Sequence, residues 1–99
     1  MERITVYVSI GNSDDKLSQR DWVEFIASVG DDINKDASAI HGLWFSQPAS
    51  PFQNACWCIE IAPEAARRLR GFLSRTAAAY GQDSIAWAEA QTTFIEAAK

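Results

Sequence analysis

The chain has 99 residues, 47% of them hydrophobic and 22% charged, and a formal net charge of −4 at pH 7. That length and composition fit one domain able to bury a core without staples, and they exclude disorder and low complexity. The acidic balance argues against a general phosphate-binding surface, because nucleic-acid affinity comes largely from Lys and Arg neutralising phosphates.

The first element is the clearest. Ile4, Val6, Val8 and Ile10 alternate with Arg3, Thr5, Tyr7 and Ser9, the period of two expected of a strand with one buried face. It runs into the polar loop Gly11-Asn12-Ser13-Asp14-Asp15. A helix start follows at Leu17 to Trp22: Ser18 is placed to cap it, Asp21 sits at the capping-box position, and Leu17 and Trp22 are spaced as a staple. Trp22, Phe25, Ile26 and Val29 form the apolar stripe of this helix, and Gly30 is expected to weaken or end it, with a frayed extension to Ile33 as the alternative and residues 30 to 38 acidic and turn-like.

Residues Ala39 to Gln47 predict a second strand in which either Leu43 with Phe45, or Ile40 with Trp44, faces inward; Gly42 suggests a bulge. Pro48 and Pro51 demand a loop. A third strand is expected over Asn54 to Ala62, with Trp57, Ile59 and Ile61 on one face and Cys56, Cys58 and Glu60 on the other. Pro63 opens a second helix whose stripe is Ala66, Leu69, Phe72 or Leu73, Ala77 and Tyr80, and Gly81 stops it. Ser84 to Glu89 read as a fourth strand. The tail from Gln91 to Lys99 carries Phe94 and Ile95, which are expected to dock against the rest of the molecule.

This order resembles the split βαβ of the ferredoxin-like fold: an α+β two-layer sandwich over residues 1–99, with an antiparallel sheet and both helices on one face. A fold so widely used carries no function by itself. The resemblance nevertheless implies that three connections meet at one end of the sheet. Those connections hold Asn12, Ser13, Asp14, Asp15, Gln53, Asn54, Gln82 and Asp83, beside an aromatic hairpin. Specific polar groups against apolar walls are what small-ligand pockets look like, so these residues, with Trp57 or Trp44 as a stacking wall, are the candidate ligand-binding site.

The classes of chemistry narrow quickly. Asp14, Asp15 and Asp83 are hard oxygen donors, but no spaced calcium loop is present and no metal site is assigned. His41 is the sole imidazole and Cys56 and Cys58 the only thiols. Their i, i+2 spacing on a strand suits neither an unstrained disulfide nor zinc, so they are expected as reduced, packed thiols. No nucleophile elbow, phosphate loop or cofactor motif occurs, so the reading leans away from an enzyme and assigns no catalytic residue and no cofactor. Val6 to Asn12 faintly resembles the first-strand motif of RNA-recognition domains, but Cys56 and Cys58 stand where stacking aromatics would be wanted, so no nucleic-acid partner is expected.

No apolar run approaches the ~20 residues that span a bilayer and no leader opens the chain, so no membrane partner and a cytoplasmic location are the defaults. The sheet face opposite the helices, with Tyr7, Cys56, Cys58, Ala86, Ala88 and part of the aromatic second strand, is too apolar to leave wet; either the Phe94-Ile95 tail or a second copy is expected to cover it, and a homodimer is the reading favoured. Two functions follow from the sequence. The first is a binding module for a small polar, nucleotide-like or amino-acid-like ligand. The alternative is a non-catalytic protein-interaction domain, for example an inhibitor of bacterial or phage type directed at a host or rival system.

Overall fold

In the computed structural model, which describes residues 2–12, 16–47 and 52–99, the alternating opening segment becomes the inner strand that two others flank. The elements run β1 (Ile4–Gly11), α1 (Gln19–Asp36), β2 (Ala39–Phe45), β3 (Asn54–Ile61), α2 (Pro63–Ala79) and β4 (Ala86–Ala90). The strands pair in the order β2-β3-β1-β4, every neighbouring pair antiparallel. Two helices over a four-stranded sheet in this order make the ferredoxin-like α+β sandwich that the sequence pattern implies.

Register decides which residues meet. Val6 lies opposite Ile59, Val8 opposite Trp57 and Ile4 opposite Ile61, so the inward sets of β1 and β3 share one face. Onto that face α1 sends Trp22, Phe25, Val29 and Ile33, and α2 sends Ala66, Leu69, Leu73 and Ala77. Each fully buried Val, Ile, Leu or Phe contributes roughly 1.5–3 kcal/mol of transfer free energy. At the N-terminus of α1 the Ser18 hydroxyl accepts from the Asp21 backbone N–H at 3.1 Å, satisfying one of the free donors of the first turn. Past the end of α2, Gly81 takes a left-handed φ of +66°, a conformation that glycine reaches without steric cost.

Several expectations are corrected. Helix α1 does not stop near Gly30, and the stretch 30 to 38 is not a turn; the helix runs to Asp36 and only Ala37 and Ser38 link it to β2. Ile33 lies one helical turn beyond Val29 and is wholly buried, and that burial outweighs the ~1 kcal/mol that a mid-helix glycine costs. The acidic residues of the last turns serve the seam between helices: Thr76 Oγ1 donates to Asp32 Oδ2 at 2.6 Å, and Arg68 donates to Asp36 Oδ1 at 3.4 Å. Two further arginines of α2 lie over aromatic rings, Arg70 over Trp87 and Arg75 over Phe72.

In β2 the two alternative inward sets are reconciled by a bulge. The register slips between Ile40 and Gly42, leaving His41 as the extra residue. Ile40, Leu43 and Phe45 therefore all pair on the helix side, opposite Ile59, Trp57 and Ala55, while Trp44 falls on the other face. The tail does not dock: residues 91 to 99 form neither helix nor strand, and Phe94 and Ile95 are 90% and 97% exposed.

Candidate functional site

Antiparallel routing brings the polar ends of β1, β3 and α2 to one pole. Gly11 pairs with Asn54, and the ladder continues one step further, with the Asn12 backbone N–H donating to the Gln53 carbonyl at 2.8 Å. The approach is so close that a Cβ at Gly11 would sit 2.8 Å from Asn54 Oδ1, below any real contact, so position 11 accepts only glycine without a shift.

Asn12 is the one buried polar residue among those described, at 3% exposure. Its side chain is fully committed. Oδ1 accepts from the Leu17 backbone N–H at 3.0 Å, and Nδ2 donates both to the Leu17 carbonyl at 3.0 Å and to Gln53 Oε1 at 2.9 Å. Gln53 is held in turn by Gln19, through Nε2 to Oε1 at 2.8 Å in one direction and 3.1 Å in the other. Asn12, Gln53 and Gln19 thus form a closed amide clasp that fixes the start of α1 to the end of the sheet. Among the described residues it presents no spare donor of Asn12 to a ligand.

The remaining candidates divide. Asn54 and Asp83, with Gln82, Ser9, Gly11 and Ser84, line an open cleft of about 340 Å³ between the ends of β1 and β4. Gln82 is partly tied, its Nε2 donating to the Tyr80 carbonyl at 3.4 Å, whereas Asp83 has no hydrogen-bond or ion-pair partner among the described residues. Ser13, Asp14 and Asp15 lie outside the described residues. The expectation for Trp57 is corrected: it pairs with Val8 and Leu43 on the helix side and is buried in the core, so it offers no wall to a bound molecule. A second hollow, of about 420 Å³, lies between α2 and the approach to β4, where Arg70, Ser74, Ser84 and Trp87 meet. Among the described residues no three His, Cys, Asp or Glu side chains converge as a metal would require, and no helix is long and apolar enough to cross a membrane.

The sheet face away from the helices carries a different constellation. Tyr7 stacks with Trp44 at 6.5 Å between ring centroids. The indole of Trp44 lies back over Gly42, where a Cβ would touch it at 3.4 Å, so the missing side chain at 42 lets the ring rest along its own strand. Beneath the pair are Cys56 and Cys58, both free thiols, with Ser9 Oγ donating to Cys56 Sγ at 3.2 Å. Hydrogen bonding toward Cys58, then the electrostatics of that sulfur, raise the Tyr7 phenol above its ordinary pKa. His41 Nε2 lies 3.2 Å from Glu60 Oε1. Thr5, Ser9, Ala39, Ala86 and Ala88 complete this face.

Sequence reasoning missed Gln19 and Leu17 in the clasp, because nothing in spacing signals an amide partner 34 positions away. The Tyr7–Trp44 stack had a signal in principle: a glycine two residues before a tryptophan on one strand face.

No protein-family model matches the chain, and no curated protein matches it either. Solved structures do share its shape. A de novo designed protein, Foldit4, superposes with a TM-score of 0.63 at 9% identity, covering 93% of this chain and all of that one. A hypothetical protein from Arabidopsis thaliana gives 0.62 at 14% identity, covering 98% of this chain and 97% of its own. The C-terminal domain of the MgtC protein from Mycobacterium tuberculosis gives 0.59 at 9% identity, covering 94% of each. At such identities the likeness is one of fold, and it extends over essentially the whole chain.

Proposed function

We propose that the chain is a protein-association domain that works through the open face of its sheet, and that its first partner is a second copy of itself. The observation that carries this is the aromatic, almost uncharged face together with its β2 rim, where Trp44 is 54% and Phe45 58% exposed. The centre of a protein interface is depleted in charge and enriched in Tyr, Trp and Phe. Here His41 and Glu60 face each other at the β2–β3 side of the face, while the helices carry exposed charge such as the Arg20–Glu24 pair. Water is a poor partner for such a face, and a second protein surface a good one.

Sedimentation equilibrium of the full chain over a concentration series tests the reading. A dimer is expected, and Trp44→Arg is expected to return it to monomer; below the dimer dissociation constant the two proteins should melt at the same temperature, since the ring lies outside the core. A wild-type chain that stays monomeric at every concentration overturns the proposal.

The cleft beside Asp83 supports a second reading, a small polar ligand held by Asn54, Asp83 and the backbone of Gly11. What favours it is that these groups come from three separate connections and that the carboxylate is unpaired among the described residues.

A further inference from the structure

We propose that each copy of the dimer passes residues 91 to 99 onto its partner, where they add a fifth strand to the outer edge of the partner's β2. This rests on the association reading above and names the contact that would hold it. Phe94 and Ile95 are the two most exposed large apolar side chains among the described residues, on a Thr-Thr-Phe-Ile run of high strand propensity.

The chemistry of the pair matches one edge. Consecutive residues of an extended chain point to opposite faces, so Phe94 and Ile95 cannot both lie on a single flat surface. A strand edge offers two faces, and β2 is apolar on both: Leu43 and Phe45 toward the helix side, Trp44 toward the open side. Among the described residues nothing pairs with its outer backbone edge, because β2 stands last in the sheet. An aromatic, hydrophobic edge of this kind is a template for an added strand.

Reach decides whose tail it is. The tail leaves from β4, at the far side of the sheet. To lie outside its own β2 it would cross four strand spacings, roughly 19 Å. At roughly 3.3 Å per residue that consumes about six residues, yet Phe94 is the fourth after Ala90. In a face-to-face pair whose two-fold axis runs along the strands, β4 of one copy lies over β2 of the other, roughly 10 Å away. The same two-fold makes the exchange reciprocal.

The area also fits. Phe94 and Ile95 offer roughly 300–400 Å² per copy, and the half-exposed Ile40, Leu43, Trp44, Phe45 and Tyr7 a similar amount, together near the ~800 Å² that a standard interface takes from each partner.

The test is the full chain carrying Phe94→Ser and Ile95→Ser, neither of which touches the core, compared with wild type by sedimentation equilibrium and by amide hydrogen exchange above and below the dimer dissociation constant. The expected result is a weakening on the order of a hundredfold or more, with amides 92 to 97 of the wild type protected only in the dimer. An unchanged dissociation constant overturns the exchange while leaving the face-to-face dimer standing. Protection that persists in the dilute monomer overturns it in favour of a tail folded on its own chain. A wild-type chain that never dimerises overturns both.

Discussion

Removing the Asn12 carboxamide should unfasten the start of α1 from the sheet. Asn12→Ala deletes the partners of the Leu17 N–H and C=O and one partner of Gln53 Oε1, while the backbone bond from residue 12 to the Gln53 carbonyl survives. Leu17 is itself buried, so water replaces those bonds poorly, and each stranded backbone group costs about 1–3 kcal/mol. Gln53 keeps Gln19, so its loss is small. A net destabilisation of roughly 2–4 kcal/mol is expected, which in a domain of this size lowers the melting temperature by roughly 10–25 °C. Urea unfolding followed by tryptophan fluorescence, with the slope against denaturant unchanged, measures it.

Asn12→Asp sharpens the point. One oxygen still accepts from Leu17 N–H, but the other now faces the Leu17 carbonyl and Gln53 Oε1, where a donor is needed. Burial and these acceptors raise the introduced carboxyl's pKa in the folded state, so this variant holds its stability below about pH 4 and loses it as pH rises through the folded value. A cost under about 0.5 kcal/mol for Asn12→Ala, the range of an ordinary surface change, would refute the clasp and return Asn12 to the pool of ligand-binding candidates.

Thermal shift against a panel of nucleotides and amino acids probes the cleft: a ligand that stabilises the wild type should lose most of that effect in Asp83→Ala at unchanged intrinsic stability, and an equal shift in the variant removes Asp83 from any site. The Tyr7 phenol should titrate above the ordinary range, and because its folded pKa is raised, the stability it contributes is complete below that range and lost as pH climbs through the raised value. Tyrosinate absorbance should show this pKa falling in Cys58→Ala; no change would mean that Cys58 does not set it.

The fold was legible because three signals agree along most of the chain: alternation in β1 and β3, the capping pair Ser18 and Asp21, and Pro63 and Gly81 around α2. It failed where a local rule met a tertiary one. Gly30 carries a helix-breaking propensity that the sequence displays, whereas the burial of Ile33 that overrides it belongs to packing. In β2 a strict period of two could not place Ile40 and Leu43 together, since His41 as an extra residue shifts the phase and no composition cue locates such an insertion to the residue. The candidate site was legible as a place more than as a set of contacts. Routing brought Gly11, Asn54 and Asp83 together, but side-chain satisfaction is a three-dimensional property, so Asn12 and Gln53 turned out bonded to each other. For Trp57, the alternation with Ile59 and Ile61 already points inward, which a role as an exposed wall contradicts.

The strand order also sets a timetable for folding. β1 is first in the chain, yet Ile4 must wait for Ile61 and Thr5 for Ala90 before it has neighbours; only β2 and β3 are joined by a short connection. Pairings of such long sequence separation form slowly, so the β2–β3 hairpin is the piece able to form first during synthesis. Until β1 closes against it, that hairpin displays Trp44, Phe45 and Trp57 to the surroundings, making the half-made domain the form most in need of a chaperone.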